Sequence, residues 1–258
     1  MNPTGGIVLL AQDGPSTRAI YHVLISRFEN VTVVLEKPPS RARLLLRRRH
    51  RIGTLAIIGQ VLFMVAVVPV LARKCRTRVA EIVAGSNLVT APIPDPVELD
   101  SVNSDEARLL LQGLSPDVVV ISGTRIISAA TITSVPAPFI NMHAGITPSF
   151  RGVHGGYWAL CEARPDLVGT TVHLVDEGID TGQILCQKTF SIDDRRDSFV
   201  TYPYHHTAAG LQCLIEVVER AKHGSTPTVP SISDLPSRLW SHPTLWGYLS
   251  RRIRAGVR

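Results

Sequence analysis

Three side chains in one short stretch could together steady a negative oxygen and move a proton: the amide of Asn141, the imidazole of His143 and the carboxylate of Asp180. When a nucleophile attacks a carbonyl carbon, the site needs donors for the oxygen that becomes negative and a route for the nucleophile's proton. Asn141 can donate through its side-chain amide and a protonated His143 can donate with charge. Asp180, placed beside His143, would favour the imidazolium and accept or relay the proton.

The elements that must position these groups can also be read. Pro138-Phe-Ile-Asn-Met-His143 reads as a short buried strand whose period of two puts Asn141 and His143 on one face, aimed into one pocket. A second strand, Gly169–Val175, ends in the acidic, glycine-punctuated loop Asp176-Glu-Gly-Ile-Asp-Thr-Gly182 that carries Asp180.

Asn141-Met-His143, the following Pro148-Ser-Phe-Arg-Gly152 and Asp180 within Gly178-Ile-Asp-Thr-Gly182 resemble the N10-formyltetrahydrofolate-dependent formyltransferases. That group includes glycinamide ribonucleotide transformylase, methionyl-tRNA formyltransferase and the sugar-amine N-formyltransferases. Three motifs in family order carry the resemblance, over roughly residues 115–190, although the proline–glycine loop is one residue shorter here. The resemblance implies an α/β, Rossmann-like formyltransferase fold, with a mostly parallel sheet flanked by helices. It also implies N10-formyltetrahydrofolate as co-substrate, with Asn141, His143 and Asp180 as the catalytic set. Arg125, Ile126 and Ile127, in the loop after a strand at 117–122, and Asp176, Gly178 and Ile179 are thereby assigned to the folate pocket. His173 supports the catalytic Asp loop; Pro148, Arg151 and Gly152 shape the loop beside the folate. His154 and Tyr157 open the next helix, where they could meet the acceptor; for Arg151 and His154 a loop-bracing hydrogen bond is the alternative. No metal is expected, because the nine histidines include no His-Glu-x-x-His or comparable ligand spacing.

Elsewhere the chain supplies the parts of a parallel sheet. Gly6–Ala11 and Val31–Glu36 read as strands on either side of a helix over Ser16–Phe28, capped by Ser16. The transformylases of purine synthesis have a glycine-rich first loop that cradles a phosphate. Here Gln12-Asp-Gly-Pro15 has one glycine and a proline without an N–H, which disfavours a ribonucleotide phosphate at that place. Ser104–Leu114 reads as a short helix opened by Ser104, Asp117–Ser122 as a buried strand, Gln183–Ile192 as another strand, and Ser198–Gly224 as largely a long helix. His205 and His206, adjacent on that helix, face different ways and make a poor metal pair.

With 258 residues and 45% hydrophobic composition the chain can bury a sizeable core. The reading is one formyltransferase domain over 1–224, carrying a basic, apolar helical insertion at 38–78, then a C-terminal tail at 225–258. The formal charge of +6 is local: residues 41–78 hold nine arginines and one lysine and no acid, leaving 17 basic residues against 21 acidic ones elsewhere. That argues against a generally nucleic-acid-binding surface. Residues 53–72 carry no charge and are long enough to span a bilayer. A span would separate strands 6–11 and 31–36 from strands 117–122 and 138–142, which should share one sheet. A buried helix, a dimer-forming helix and a helix lying on a membrane surface are therefore preferred. The tail's Trp240–Arg254 mixes two tryptophans with a basic cluster, as interfacial helices do, and docking on the protein is the alternative. It is too short for the barrel that methionyl-tRNA formyltransferases carry there. Four widely spaced cysteines, without Cys-x-x-Cys, read as reduced thiols of a cytoplasmic protein, and no secretory signal opens the chain.

The leading expectation is formyl transfer to the primary amine of a small acceptor, an amino sugar or another biosynthetic amine, with no nucleic-acid partner. Peripheral membrane contact and a homodimer are both compatible with the apolar segment. Hydrolysis of formyltetrahydrofolate is the alternative reaction, and a non-catalytic membrane-surface or binding protein with the same fold is the alternative class.

Overall fold

The computed structural model describes residues 5–40 and 52–258. The arginine cluster at 41–51, part of the expected insertion, lies outside the described residues. Ile7–Ala11 (β1) and Val118–Ser122 (β4) are buried at every residue, as strands covered on both faces must be, and they pair in parallel mid-sheet. Beyond β1 lie Val31–Glu36 (β2) and Val97–Leu99 (β3), both parallel. Beyond β4 lies Phe139–His143 (β5), also parallel. A two-residue strand, Arg151–Gly152 (β6), follows in sequence but stands apart from this sheet. Gly169–Leu174 (β7) and Ile184–Thr189 (β8) then turn antiparallel and complete the order β3-β2-β1-β4-β5-β7-β8. The fold is the expected mostly parallel α/β sheet, and the strands near 6–11, 31–36, 117–122 and 138–143 share it.

Among the described residues the helices are Pro15–Ile25 (α1), Thr54–Lys74 (α2), Arg76–Gly85 (α3), Asp105–Leu114 (α4), Ala129–Ile132 (α5), Gly155–Cys161 (α6), Tyr202–Lys222 (α7) and Leu245–Ala255 (α8). One sheet face is covered by α1 and α7, through Ile20, Leu24, Leu214 and Val218 against Leu9, Val120 and Ile140. The other is covered by α4, through Ala107 and Leu111 against Val8, Leu10 and Val119. Ser104 caps α4 as expected, its Oγ accepting from the Ala107 N–H at 3.2 Å. Helix α1 departs from expectation. Its N-cap is Gly14 with no side-chain cap, Pro15 occupies the first turn where a missing N–H costs nothing, and the Ser16 hydroxyl instead lies 2.9 Å from that of Thr207.

The expectation of four free thiols does not hold. Cys186 on β8 and Cys213 on α7 form a disulfide, with Cα atoms 5.9 Å apart, while Cys75 and Cys161 are free. The pairing follows from α7 lying across β8, which residue spacing does not report.

A third core joins α2, α6 and α8 around Phe63, Tyr157, Trp240 and Tyr248. Helix α2 is docked on this core along one side only: Phe63 is fully buried against Phe199 and Tyr248, and the Gln60 side-chain amide donates to the His242 carbonyl at 2.7 Å. A π-helical stretch, Phe63–Val67, precedes Pro69, whose ring blocks the regular hydrogen-bond ladder at this point. Just beyond, Arg78 donates from Nε (2.8 Å) and Nη2 (3.1 Å) to Asp197, whose side chain is buried; His205 Nε2 lies 3.0 Å from the same carboxylate. Burial alone would raise the Asp197 pKa, but Arg78 and the Asp193 N–H hold it well below the usual carboxylate range. Asp197→Ala removes the buried partner of Arg78 and leaves it, among the described residues, only the exposed Glu81 carboxylate, 3.4 Å from Nη1. It is expected to cost about 3–5 kcal/mol, read as a fall of roughly 10 °C in thermal midpoint.

Candidate active site

The site forms at the carboxyl end of β5, where side-chain alternation puts Asn141 and His143 on one face, and the loop after β7 brings Asp180 to them. Asp180 Oδ2 accepts from the Gly152 N–H at 2.8 Å and lies 3.4 Å from His143 Nδ1. Its Oδ1 lies 3.4 Å from Asn141 Nδ2 and 3.5 Å from His173 Nε2. Asn141, His143, Asp180 and His173 are thus one cluster, and Asp180 adopts the left-handed conformation (φ 51°) needed to turn its carboxylate back toward the strand.

Two backbone carbonyls fix the rings. His143 Nε2 lies 2.8 Å from the Phe150 carbonyl, so that nitrogen carries the proton and Nδ1 faces Asp180 with its lone pair. His173 Nδ1 lies 2.7 Å from the Leu174 carbonyl, leaving Nε2 to accept from Asn141 Nδ2 at 3.2 Å. The Asn141 amide is thereby held between His173 and Asp180. The Asp180–His143 attraction favours charge on both partners, and burial opposes it. For Asp180, burial would raise the pKa, but His143, His173 and the Gly152 N–H outweigh it and hold the carboxyl at about 2. For His143, burial wins and the imidazole pKa falls below its ordinary 6.5. Burial thus favours the neutral form of His143, while Asp180 favours the imidazolium as anticipated from the sequence.

The loop over 147–154 is held from outside the sheet. Leu239–Trp240 (β9) pairs in parallel with β6, and the Trp240 indole N–H donates to the Ser149 carbonyl at 2.9 Å. The Ser149 hydroxyl lies 2.7 Å from that of Ser233, and the Ser231 hydroxyl donates to the Thr147 carbonyl at 2.8 Å. The chain from 225 to 258 therefore wraps the catalytic loop and docks on the protein. Arg151 braces the same region, its Nη1 donating to the Ile179 carbonyl at 3.1 Å.

A groove of about 320 Å³ opens beside Asp180, lined by Pro148, Thr181, Ile184, Thr228 and Val229 among others. Thr147 lines this groove, and its hydroxyl is buried and without a hydrogen-bond partner among the described residues. Asp176 shapes the loop internally, accepting from the Gly178 N–H (3.0 Å) and the Thr181 hydroxyl (2.6 Å), while Ile179 offers its carbonyl to Arg151.

Of the three residues at 125–127, Ile127 is buried in the core, and Ile126 is 58% exposed. The Arg125 guanidinium is engaged with the buried Glu36 carboxylate and with the carbonyls of Lys37 and Asp100. None of the three lines the groove beside Asp180. His154 sits at the N-cap of α6 with φ 61°, its Nε2 2.9 Å from His242 Nδ1 and its ring 4.3 Å from that of Phe199; burial pushes its pKa down to about 3. Tyr157 is buried between Phe199 and Tyr248, behind the loop and away from the groove.

Sequence reasoning missed Glu36 and Thr147. Glu36 ends an apolar strand at the carboxyl edge of the sheet and accepts from the N–H groups of Val102 (2.9 Å) and Arg125 (3.0 Å), tying three loops together. An acid closing a buried strand was a readable signal. Thr147 gave none beyond preceding Pro148.

The sequence profile described as formyl transferase matches residues 8–218. A methionyl-tRNA formyltransferase of Thermodesulfovibrio yellowstonii is 30% identical over 137 residues, 53% of this chain and 44% of that protein; the chain thus spans less than half the length of this relative. A sugar N-formyltransferase structure from Shewanella sp FDAARGOS_354 superposes with a TM-score of 0.57 at 16% identity, covering 91% of this chain and 76% of that one. An N-formyltransferase of Helicobacter canadensis, in complex with folinic acid and dTDP-3-aminofucose, gives 0.54 at 13% identity, covering 92% and 71%.

Proposed function

The chain belongs to the formyl transferase family, and on that premise we propose that it transfers a formyl group from N10-formyltetrahydrofolate to the primary amine of a small acceptor, an amino sugar or another biosynthetic amine, in the cytoplasm. The observation that carries the reading is the convergence of Asn141, His143, His173 and the Gly152 N–H on the Asp180 carboxylate, all within 3.5 Å. No metal enters the reading.

The groove beside Asp180 suits the folate, with Thr147 and Pro148 in its lining; the 125–127 loop lies outside that lining. As the acceptor nitrogen bonds to the formyl carbon, Asn141 redirects the N–H it holds 3.4 Å from Asp180 Oδ1 to the oxygen that becomes negative. A neutral His143 with its Nδ1 lone pair open takes the amine proton. Asp180 stabilises the imidazolium so formed, and the proton leaves on the folate nitrogen as its bond to the formyl carbon breaks. His173 and Arg151 hold this arrangement. His154, beside Phe199 and His242, is the proposed contact toward the acceptor.

The test is an absorbance assay for tetrahydrofolate release, run with nucleotide-linked amino sugars, other primary amines and methionyl-tRNA, since a curated relative carries that last name. Release that requires a small amine and vanishes in His143→Ala is the expected result. Release with methionyl-tRNA alone would overturn the acceptor assignment, and acceptor-independent release would make the enzyme a hydrolase.

A further inference from the structure

Helix α2 is the most apolar element of the chain, yet only 22% of its most apolar window is buried within the molecule. Its outward stripe follows helical spacing, with Leu55 75% exposed, Val65 64% exposed, and Ile58 and Leu62 open between them. Helix α8 packs beside it and presents a second stripe at intervals of three and four: Trp246, Leu249 and Ile253, the last 82% exposed. Trp246 lies across Gly59 of α2 while remaining 49% exposed, so the two stripes join into one apolar face.

The charge around this face has one sign. Neither residues 52–80 nor residues 235–258 contain an aspartate or glutamate. Arg73 and Lys74 stand exposed at the end of α2 and Arg76 at the start of α3, and Arg252 and Arg254 stand exposed on α8. A bare apolar stripe between basic side chains is complementary to a surface that is apolar inside and anionic at its edge. We infer that α2 and α8 form a monotopic docking face that seats the protein on an anionic lipid leaflet, with both helices lying in the interface. A second copy fits less well, because apposing two such faces brings like charges together. Crossing the bilayer is opposed by the inner side of α2, where Phe63 is packed in the core and Gln60 is bonded to the His242 carbonyl.

The inference goes beyond the proposed reaction, and its test does not use activity. The full chain is sedimented with vesicles of phosphatidylcholine, with and without phosphatidylglycerol. Binding is expected only to the anionic vesicles, weakening as salt is raised. The joint variant Leu55→Ser, Val65→Ser, Ile253→Ser changes exposed positions alone and is expected to lower that binding roughly a hundred-fold with an unchanged circular dichroism spectrum. Brominated lipid is expected to quench Trp246, the exposed tryptophan, and Trp246→Phe to remove the quenching, because Trp158 and Trp240 are buried. No binding to anionic vesicles, equal binding to neutral ones, or full binding by the triple variant would overturn the inference. So would self-association, abolished by the triple variant, in a protein that ignores vesicles.

Discussion

On the proposed mechanism, Asp180→Asn is expected to lower the rate of formyl transfer by about 10²–10⁴, the range for removing a positioned proton-transfer group. Asparagine keeps the shape of the side chain and can still accept the Gly152 N–H, so the fold is retained while the charge beside His143 is lost. His143→Ala is expected to cost a similar factor, and the double variant little more than either single one, because the pair acts as a unit. The pH profile separates this role from a merely structural one. In the native protein the rate is expected to fall as pH drops through the pKa of His143, which burial lowers from its ordinary value. Asp180 raises that pKa and burial lowers it further than Asp180 raises it. Removing the charge removes the raising contribution, so the acid limb in Asp180→Asn moves to still lower pH. A limb that stays in place, or moves upward, would show that Asp180 does not act through His143. Stability follows the opposite partner. The carboxyl is depressed from 3.8 to about 2, so its contribution is complete above pH 3.8 and is lost as pH falls through about 2. Asp180→Asn flattens the stability curve in that window.

Gly152→Ala is expected to be damaging out of proportion to the one methyl group it adds. Gly152 has φ 96°, a conformation that costs an L-residue about 1–3 kcal/mol. A Cβ there would also overlap the Trp240 carbonyl oxygen, which is backbone and cannot rotate away. Either β9 is displaced from β6, or the loop shifts and takes its N–H away from Asp180. A loss of roughly 10 °C in thermal midpoint and about ten-fold or more in transfer rate is expected. Faster proteolysis between residues 225 and 240 should accompany them. Full activity with a native midpoint would mean that the tail does not hold the loop.

Much of this site could be read from residue order, because strands report their faces by alternation and the three motifs each carry their own turn residues. Asn141 and His143 face one way, and the acidic loop after Gly169–Leu174 returns Asp180 to them, as the pattern implies. The parallel core strands were legible for a similar reason: runs such as Val118–Ser122 have no polar face to hide. What could not be read depends on contacts between distant segments. Capping of α1 by Ser16 failed because Pro15 already starts the helix and the Ser16 hydroxyl is drawn to Thr207 on α7. The Cys186–Cys213 bond depends on how α7 lies across β8. The lowering of the His143 pKa comes from burial, against the opposing pull of Asp180 and the Phe150 carbonyl, a balance that no spacing rule encodes. The tail's docking rests on short polar contacts such as Ser149 to Ser233, between residues that carry no motif.

The pairing of Arg151–Gly152 with Leu239–Trp240 also sets an order of events during synthesis. Ser149 and the Trp240 that holds its carbonyl are 91 residues apart, and Asn141, His143 and Asp180 all emerge before Trp240 does. At about 5–20 residues per second, the loop waits on the order of 3–12 s after Asp180 is made before its brace arrives. A message broken between codons 225 and 238 would encode the whole seven-stranded sheet and every catalytic side chain, yet leave the loop beside Asp180 without its outer strand. The proposed chemistry thus depends on a segment that contributes none of the proposed reacting groups.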